Sequence, residues 1–236
     1  MMAKKPQLRF PNPRNPNNAL SNKHCFYVAT SEGGKTSAVK KMPKDPRLKA
    51  NEQYVFFDPY GDYQGVFKGK AVQHYSNASE FYLALCKARN SKKAFRIAYQ
   101  PMFTTAYEMD RFCGIVWSLG DGSQPMHVII EEVAQFVNSS GSATGYLNNL
   151  ISVGRKFGLM LSFLFQRGQA VPKTLIGNCA YKWIGMQERQ KDAYYLSEET
   201  GIPVEEILSL TKLHYVFKSP GSRDNYEKGV IRYKKT

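Results

Sequence analysis

The strongest constraint on the fold is an alternation. Short apolar runs rich in β-branched and aromatic residues recur along the chain, and amphipathic stretches of helical length separate most of them. The runs are HCFYVAT (24–30), QYVFFD (53–58), AVQHYS (71–76), AFRIAYQ (94–100), MHVIIEE (126–132), LMLSFLFQ (159–166), YKWIGM (181–186) and HYVFKS (214–219). Helical spacing falls at about 35–42, 78–89, 104–119, 143–155, 170–178 and 189–199. Parallel strands need long crossovers, and strands buried on both faces read as continuous apolar runs. The pattern therefore predicts an α/β fold with a mostly parallel central sheet flanked by helices. The ending, YEKGVIRYKKT, can add an edge strand. The first helix is expected to be short, because Pro43 and Pro46 follow it closely.

Residues 1–22 stand apart. They are rich in Pro, Asn and basic groups, and prolines at 11, 13 and 16 forbid a regular helix or central strand. This segment is expected to be a tail or strap, either mobile or laid across a neighbouring surface, ahead of one domain over 23–236. A chain of 236 residues with 42% hydrophobic content can bury a sizeable core. Its most apolar stretch, LMLSFLF, is far too short to span a bilayer, and MMAKKPQLRF lacks the apolar region of a secretory signal. The four cysteines (25, 86, 113 and 179) are scattered without a C-x-x-C pair. Buried thiols in a reducing compartment suit them better than zinc or a disulfide framework. The 33 Lys and Arg against 19 Asp and Glu leave a net charge of +14, which calls for a polyanionic partner, most often nucleic acid.

Three local patterns carry candidate chemistry, and a fourth is by itself only a turn. ATSEGGKTS (29–37) follows a predicted buried strand and opens a predicted helix. It fits the phosphate-loop pattern G-x-x-x-x-G-K-[ST], except that Ala29 replaces the first glycine. Such a loop aims backbone N–H groups and a helix start at an anion; Lys35 would reach the β- and γ-phosphates and Thr36 would place its hydroxyl on Mg²⁺. Ser31, Glu32, Gly33, Gly34, Lys35, Thr36 and Ser37 are the expected nucleotide contacts. MHVIIEE delivers Glu131 and Glu132 at the carboxyl end of a strand, where ligands of open α/β sheets sit. One acid can hold the metal, and the other can orient or deprotonate water. LFQRG places Gln166 at another strand end, within reach of a γ-phosphate and its attacking water. VFFDPYGDY (55–63) ends a strand in Asp58 and turns at Pro59 to Gly61.

Together the loop with Lys35 and Thr36, FFDPYGDY, VIIEE and GRKFGLMLSFLFQ resemble the FtsK–HerA superfamily of P-loop ATPases, over roughly residues 24–218. The small size looks most like the genome-packaging ATPases of tailless icosahedral viruses and phages. The resemblance implies a RecA-like core, ATP with Mg²⁺, ring oligomers (hexamer or pentamer) and ATP-driven translocation of DNA into a preformed capsid. It implies Lys35 and Thr36 as phosphate and metal contacts, Glu131 as the metal-side acid, Glu132 as the catalytic acid and Gln166 as the sensor. Arg155, in SVGRKFG, is the implied arginine finger for a neighbouring subunit, with Arg111 and Arg167 as competitors. Capsid or portal-vertex proteins become implied partners, and the cytoplasm of an infected host cell or a virion vertex the implied location.

Sequence-independent contact with DNA needs basic groups on loops. Residues 40–49 and 86–96 are the basic candidates, and the uncharged glycine-serine loop 138–145 is a third, which would place backbone N–H groups near phosphates. Two other readings stay open: a HerA-like or conjugative DNA motor, and a non-hydrolysing P-loop module, which Ala29 favours. A filamentous-phage assembly ATPase fits less well, because those usually carry a membrane span.

Overall fold

A computed structural model describes residues 9–42, 45, 47–137, 143, 145–222 and 224–232. Pro43, Pro46 and most of the glycine-serine loop lie outside the described residues, as do residues 1–8 of the N-terminal segment. The chain runs β1 (Cys25–Val28), α1 (Lys35–Lys41), β2 (Tyr54–Phe57), β3 (Val66–Phe67), β4 (Lys70–Ala71), β5 (Gln73–Tyr75), α2 (Ala78–Ser91) and β6 (Arg96–Tyr99). It continues with α3 (Ala106–Ser118), β7 (Met126–Ile130), α4 (Gly145–Val153), β8 (Leu159–Phe165), α5 (Lys173–Asn178), β9 (Tyr181–Gly185), α6 (Gln190–Thr200), α7 (Val204–Leu208), β10 (His214–Lys218) and β11 (Tyr226–Val230).

Nine strands form one sheet in the order β11-β10-β9-β1-β8-β7-β2-β6-β5. All pairs from β9 across to β5 are parallel, while β10 and β11 close one edge antiparallel. The eight expected strands and the C-terminal edge strand are all present. The short β3–β4 hairpin and α7 are additions. The hairpin turns at Lys68 (φ 45°) and Gly69 (φ 80°), two successive left-handed residues of the kind two-residue hairpins require.

Local signals explain where helices begin. Asn77 caps α2 by accepting from the N–H groups of Ser79 (2.8 Å) and Glu80 (3.2 Å), and Thr105 accepts from the Glu108 N–H at the start of α3. Strand residues alternate between two cores. Phe26, Val28, Val55, Phe57, Val128 and Phe163 meet the larger one, which contains residues of α2 to α7. Tyr27, Tyr54, Phe56, Ile129, Leu164 and Trp183 meet the smaller one, which includes α1 residues and Phe67 of the hairpin. Removing a buried ring such as Phe56 would cost about 3–5 kcal/mol.

Residues 9–22 lie along the domain as a strap. The Arg14 N–H donates to the Gly120 carbonyl (3.0 Å), and the Asn17 N–H donates to the Lys156 carbonyl (2.7 Å). The Phe10 N–H donates to the Tyr146 hydroxyl (2.7 Å), and the two rings meet edge-on at 5.4 Å. Phe10 fills the space that a side chain on Gly114 would occupy, so the helix surface and the strap are shaped to one another.

Candidate active site

β1, β2, β7 and β8 run parallel, so their carboxyl ends open on the same side of the sheet. β8 lies between β1 and β7. That order sets Gln166 between the phosphate-type loop that follows β1 and the acids that follow β7.

The loop from Ala29 to Gly34 curls back on itself: the Gly33 N–H donates to the Thr30 carbonyl (3.0 Å), and the Thr30 N–H is held by the Met186 carbonyl (3.0 Å). Gly34 adopts φ 95°, which only glycine adopts readily. The Lys35 ammonium folds into the loop and donates to the carbonyls of Ala29 (3.0 Å) and Thr30 (3.2 Å). Burial pulls its pKa down, with Glu132, Glu131 and Asp62 opposing that shift. α1 has only seven residues, so any anion at its start would be drawn chiefly by Lys35.

Ala29 is fully buried, and its methyl does not line the site's cavity. A Cβ placed on Gly33 would lie 2.6 Å from the Ala29 methyl, and one on Gly185 would lie 2.9 Å from it. The volume that a glycine would leave at position 29 is thus used by alanine and supplied by glycines at 33 and 185.

Glu131 is buried at the end of β7. Its carboxylate accepts from the Tyr63 hydroxyl (2.7 Å) and from the Thr36 hydroxyl. Burial raises its pKa to about 8, with Asp62 and Asp58 adding to the rise and the two hydroxyls opposing it. Tyr63 is positioned by the Asp58 turn: the Asp58 carboxylate, fully buried, accepts from the N–H groups of Asp62 (2.7 Å) and Tyr63 (3.0 Å) and faces His74 at 3.3 Å. The D-P-Y-G-D-Y motif is therefore the device that holds Tyr63 on Glu131. Glu132 adopts left-handed backbone (φ 48°, ψ 40°), which turns its side chain off the strand direction. Non-glycine residues in that region store roughly 1–3 kcal/mol of strain and cluster at functional sites. The Gln166 amide donates to the Glu132 carboxylate at 3.3 Å.

These groups surround one open cavity of about 600 Å³. Of the sequence-predicted residues, Ser31, Glu32, Gly34, Lys35, Thr36, Ser37, Glu131, Glu132 and Gln166 all line it. Gly33 is buried within the loop behind them. Sequence reasoning missed Tyr60, Asp62, Gln135 and Lys212 in its wall. The first two belong to the D-P-Y-G-D-Y turn and were legible as its neighbours, whereas Lys212 precedes β10 and carries no motif.

The structure does not bring Arg155 to the cavity. It precedes β8, at the opposite end of that strand from Gln166, and its guanidinium donates to the carbonyls of Asn18 (3.0 Å) and Leu20 in the strap. Its role within the chain is to anchor the strap; a role in a neighbour's site would require those carbonyls to release it. Arg167 sits beside Gln166 and pairs with Asp192 (3.1 Å), and Arg111 lies 3.6 Å from Glu108.

Strand order, loop and cavity define the fold class: a RecA-like P-loop NTPase core with a nine-stranded, mostly parallel sheet. Solved structures share this fold. The fold matches the genome-packaging NTPase B204 of Sulfolobus turreted icosahedral virus 2, solved with ATP-gammaS, at a TM-score of 0.66 and 13% identity, over 88% of this chain and 96% of that one. It matches VirB4 of Thermoanaerobacter pseudethanolicus at a TM-score of 0.60 and 9% identity, over 91% and 90% of the two chains. In sequence, 109 residues are 28% identical to Protein P9 of Pseudoalteromonas phage PM2, covering 46% of this chain and 50% of P9. The match thus spans half the length of that relative. No family model matches the chain. The chain thus shares its fold with a viral genome-packaging NTPase and with VirB4. Among the described residues, no helix is long and apolar enough to cross a membrane.

Proposed function

We propose that the chain is an ATP-hydrolysing DNA translocase that packages a viral genome into a preformed capsid. The observation that carries this reading is the convergence of Lys35, Thr36, Glu131, Glu132 and Gln166 on one cavity from three neighbouring strands. That cavity has the size of a small-molecule site. Lys35 can exchange two neutral carbonyls for phosphate oxygens. Thr36 and Glu131 would hold Mg²⁺, which supplies charge neutralisation to the phosphates when bound. Among the described residues no cluster of three or more His, Cys, Asp or Glu side chains could hold a metal alone, which suits a cation carried in with phosphate oxygens. Glu132 would accept the proton of the attacking water as its oxygen bonds to the γ-phosphorus and the bond to the ADP oxygen breaks. Gln166, already on Glu132, would orient that water and report the state of the γ-phosphate.

The DNA partner rests on charge and on likeness to B204. The net charge is +14, and exposed Lys49, Lys92 and Lys93 lie just ahead of β2 and β6, at the sheet end away from the cavity. Ring assembly, docking on capsid or portal-vertex proteins, and action in the infected host cytoplasm or at a virion vertex belong to the same proposal. In such a ring one of Arg155, Arg167 or Arg111 would reach a neighbour's site. A second reading is a conjugative or HerA-like DNA motor, which the likeness to the pCW3 conjugation coupling protein TcpA supports (TM-score 0.50, 12% identity, over 88% of this chain and 59% of that one).

Phosphate release from ATP and Mg²⁺, with and without duplex DNA, tests the reading. It predicts turnover that DNA stimulates and that Lys35→Ala abolishes. Turnover unchanged in Lys35→Ala, or none in the wild-type protein, would overturn it.

A further inference from the structure

The cavity is built against its proposed ligand. Its walls carry four acids, Glu32, Asp62, Glu131 and Glu132, but only two cations among the described residues, Lys35 and Lys212. Glu32 is the odd member, because it places a carboxylate within the phosphate-type loop itself. Its backbone is left-handed (φ 56°), a conformation that favours glycine. Lys212, 180 residues further along the chain, pairs with it at 2.7 Å. Lys212 is held there by the turn before β10: the His214 N–H donates to the Thr211 carbonyl (3.0 Å). Leu213, also left-handed (φ 68°), packs 3.1 Å from where a Cβ on Gly34 would lie. Two uncommon backbone conformations from distant segments thus meet over the loop, and the groups they bring together are one anion and one cation.

From this arrangement, and resting on the nucleotide reading of the cavity, we propose that Lys212 is a second phosphate-binding cation that Glu32 holds in reserve. Lys212 and Glu32 are both more than half exposed, and exposed ion pairs are weakly held. A triphosphate carries several negative charges and displaces a single carboxylate with ease. On binding, Lys212 moves from Glu32 to the phosphates, and the freed Glu32 carboxylate turns to solvent. Lys35 serves the β- and γ-phosphates from inside the loop, while Lys212 approaches from outside it, so the pair discriminates by phosphate number. AMP, with one phosphate, gains little from Lys212.

The proposal gives the two partners opposite signs. Binding of ATP-gammaS and of AMP, each with Mg²⁺, is to be measured by calorimetry on the wild-type chain, Lys212→Ala, Glu32→Gln and the double variant. Both residues are exposed, so thermal melting should show all variants folded. Lys212→Ala should weaken ATP-gammaS about tenfold or more and AMP by less than about threefold. Glu32→Gln should tighten ATP-gammaS by roughly two- to fivefold, because it removes the competitor, and the double variant should match Lys212→Ala. If Lys212→Ala and Glu32→Gln change ATP-gammaS binding equally and in the same direction, or not at all, the pair is only a surface salt bridge and the proposal fails. A wild-type chain that binds neither nucleotide would overturn the nucleotide reading and this inference with it.

Discussion

Ala29 in place of the first loop glycine provides a quantitative prediction. If the methyl is part of the packing behind the loop, Ala29→Gly restores the phosphate-loop consensus without improving nucleotide binding. The change deletes one fully buried methyl, worth about 0.8 kcal/mol, and adds backbone freedom to the unfolded chain, worth roughly 0.5–1 kcal/mol. The expected loss of stability is about 1–2 kcal/mol. Gly185→Ala should cost about 1–3 kcal/mol by overpacking, because its Cβ would lie 2.9 Å from the Ala29 methyl and 2.8 Å from the Trp183 ring. The double variant removes the first clash and keeps the second. It should therefore be less destabilised than the sum of the single changes, by about 0.5–2 kcal/mol. Urea unfolding gives the three stabilities, and calorimetric titration with ATP-gammaS gives the affinities. Strict additivity would refute the packing argument. A tenfold gain in affinity for Ala29→Gly would refute the claim that the methyl points away from the ligand.

Three further outcomes follow from the same geometry. Glu132→Gln should still bind ATP and should hydrolyse it about 10²–10⁴-fold more slowly, since the amide keeps the shape facing Gln166 and loses the basicity; undiminished phosphate release would remove Glu132 from the chemistry. His24 is buried with its pKa pushed down to about 3, first by burial and then by Arg155 and Arg47, and its Nδ1 accepts from the Leu161 N–H. Its contribution is complete above pH 6.5 and is lost as pH falls from 6.5 to 3, at about 1.4 kcal/mol per pH unit, so His24→Gln should flatten that part of the stability profile measured by urea titration. Phe10→Ala should cost about 2 kcal/mol through lost apolar contact with Tyr146 and the surface at Gly114, and a melting temperature equal to that of the wild type would show that the strap adds nothing to stability.

Much of this architecture can be read directly from the sequence. The central strands are continuous apolar runs because both faces are covered, and the acids and glutamine that line the cavity stand at strand ends, where the run breaks. The β3–β4 hairpin escapes such reading because its strands have two residues each, too few to show a period. The sequence leaves tail and strap undivided because the attachment uses backbone groups, the Asn15 and Asn22 amides and the Phe10 ring, none of which leaves a periodic signal. Arg155 shows what a motif leaves out: SVGRKFG identifies a guanidinium, and only the fold reveals that within the chain it donates to the carbonyls of residues 18 and 20. Lys212 is invisible for a related reason, since its partner is 180 residues away.

The central claim, that hydrolysis at this cavity drives DNA movement, is tested most directly by displacement of a triplex-forming oligonucleotide from linear duplex DNA. The account predicts displacement that requires ATP, fails with ATP-gammaS, and is lost in both Lys35→Ala and Glu132→Gln. ATP hydrolysis at full rate on duplex DNA with no oligonucleotide displaced would contradict it.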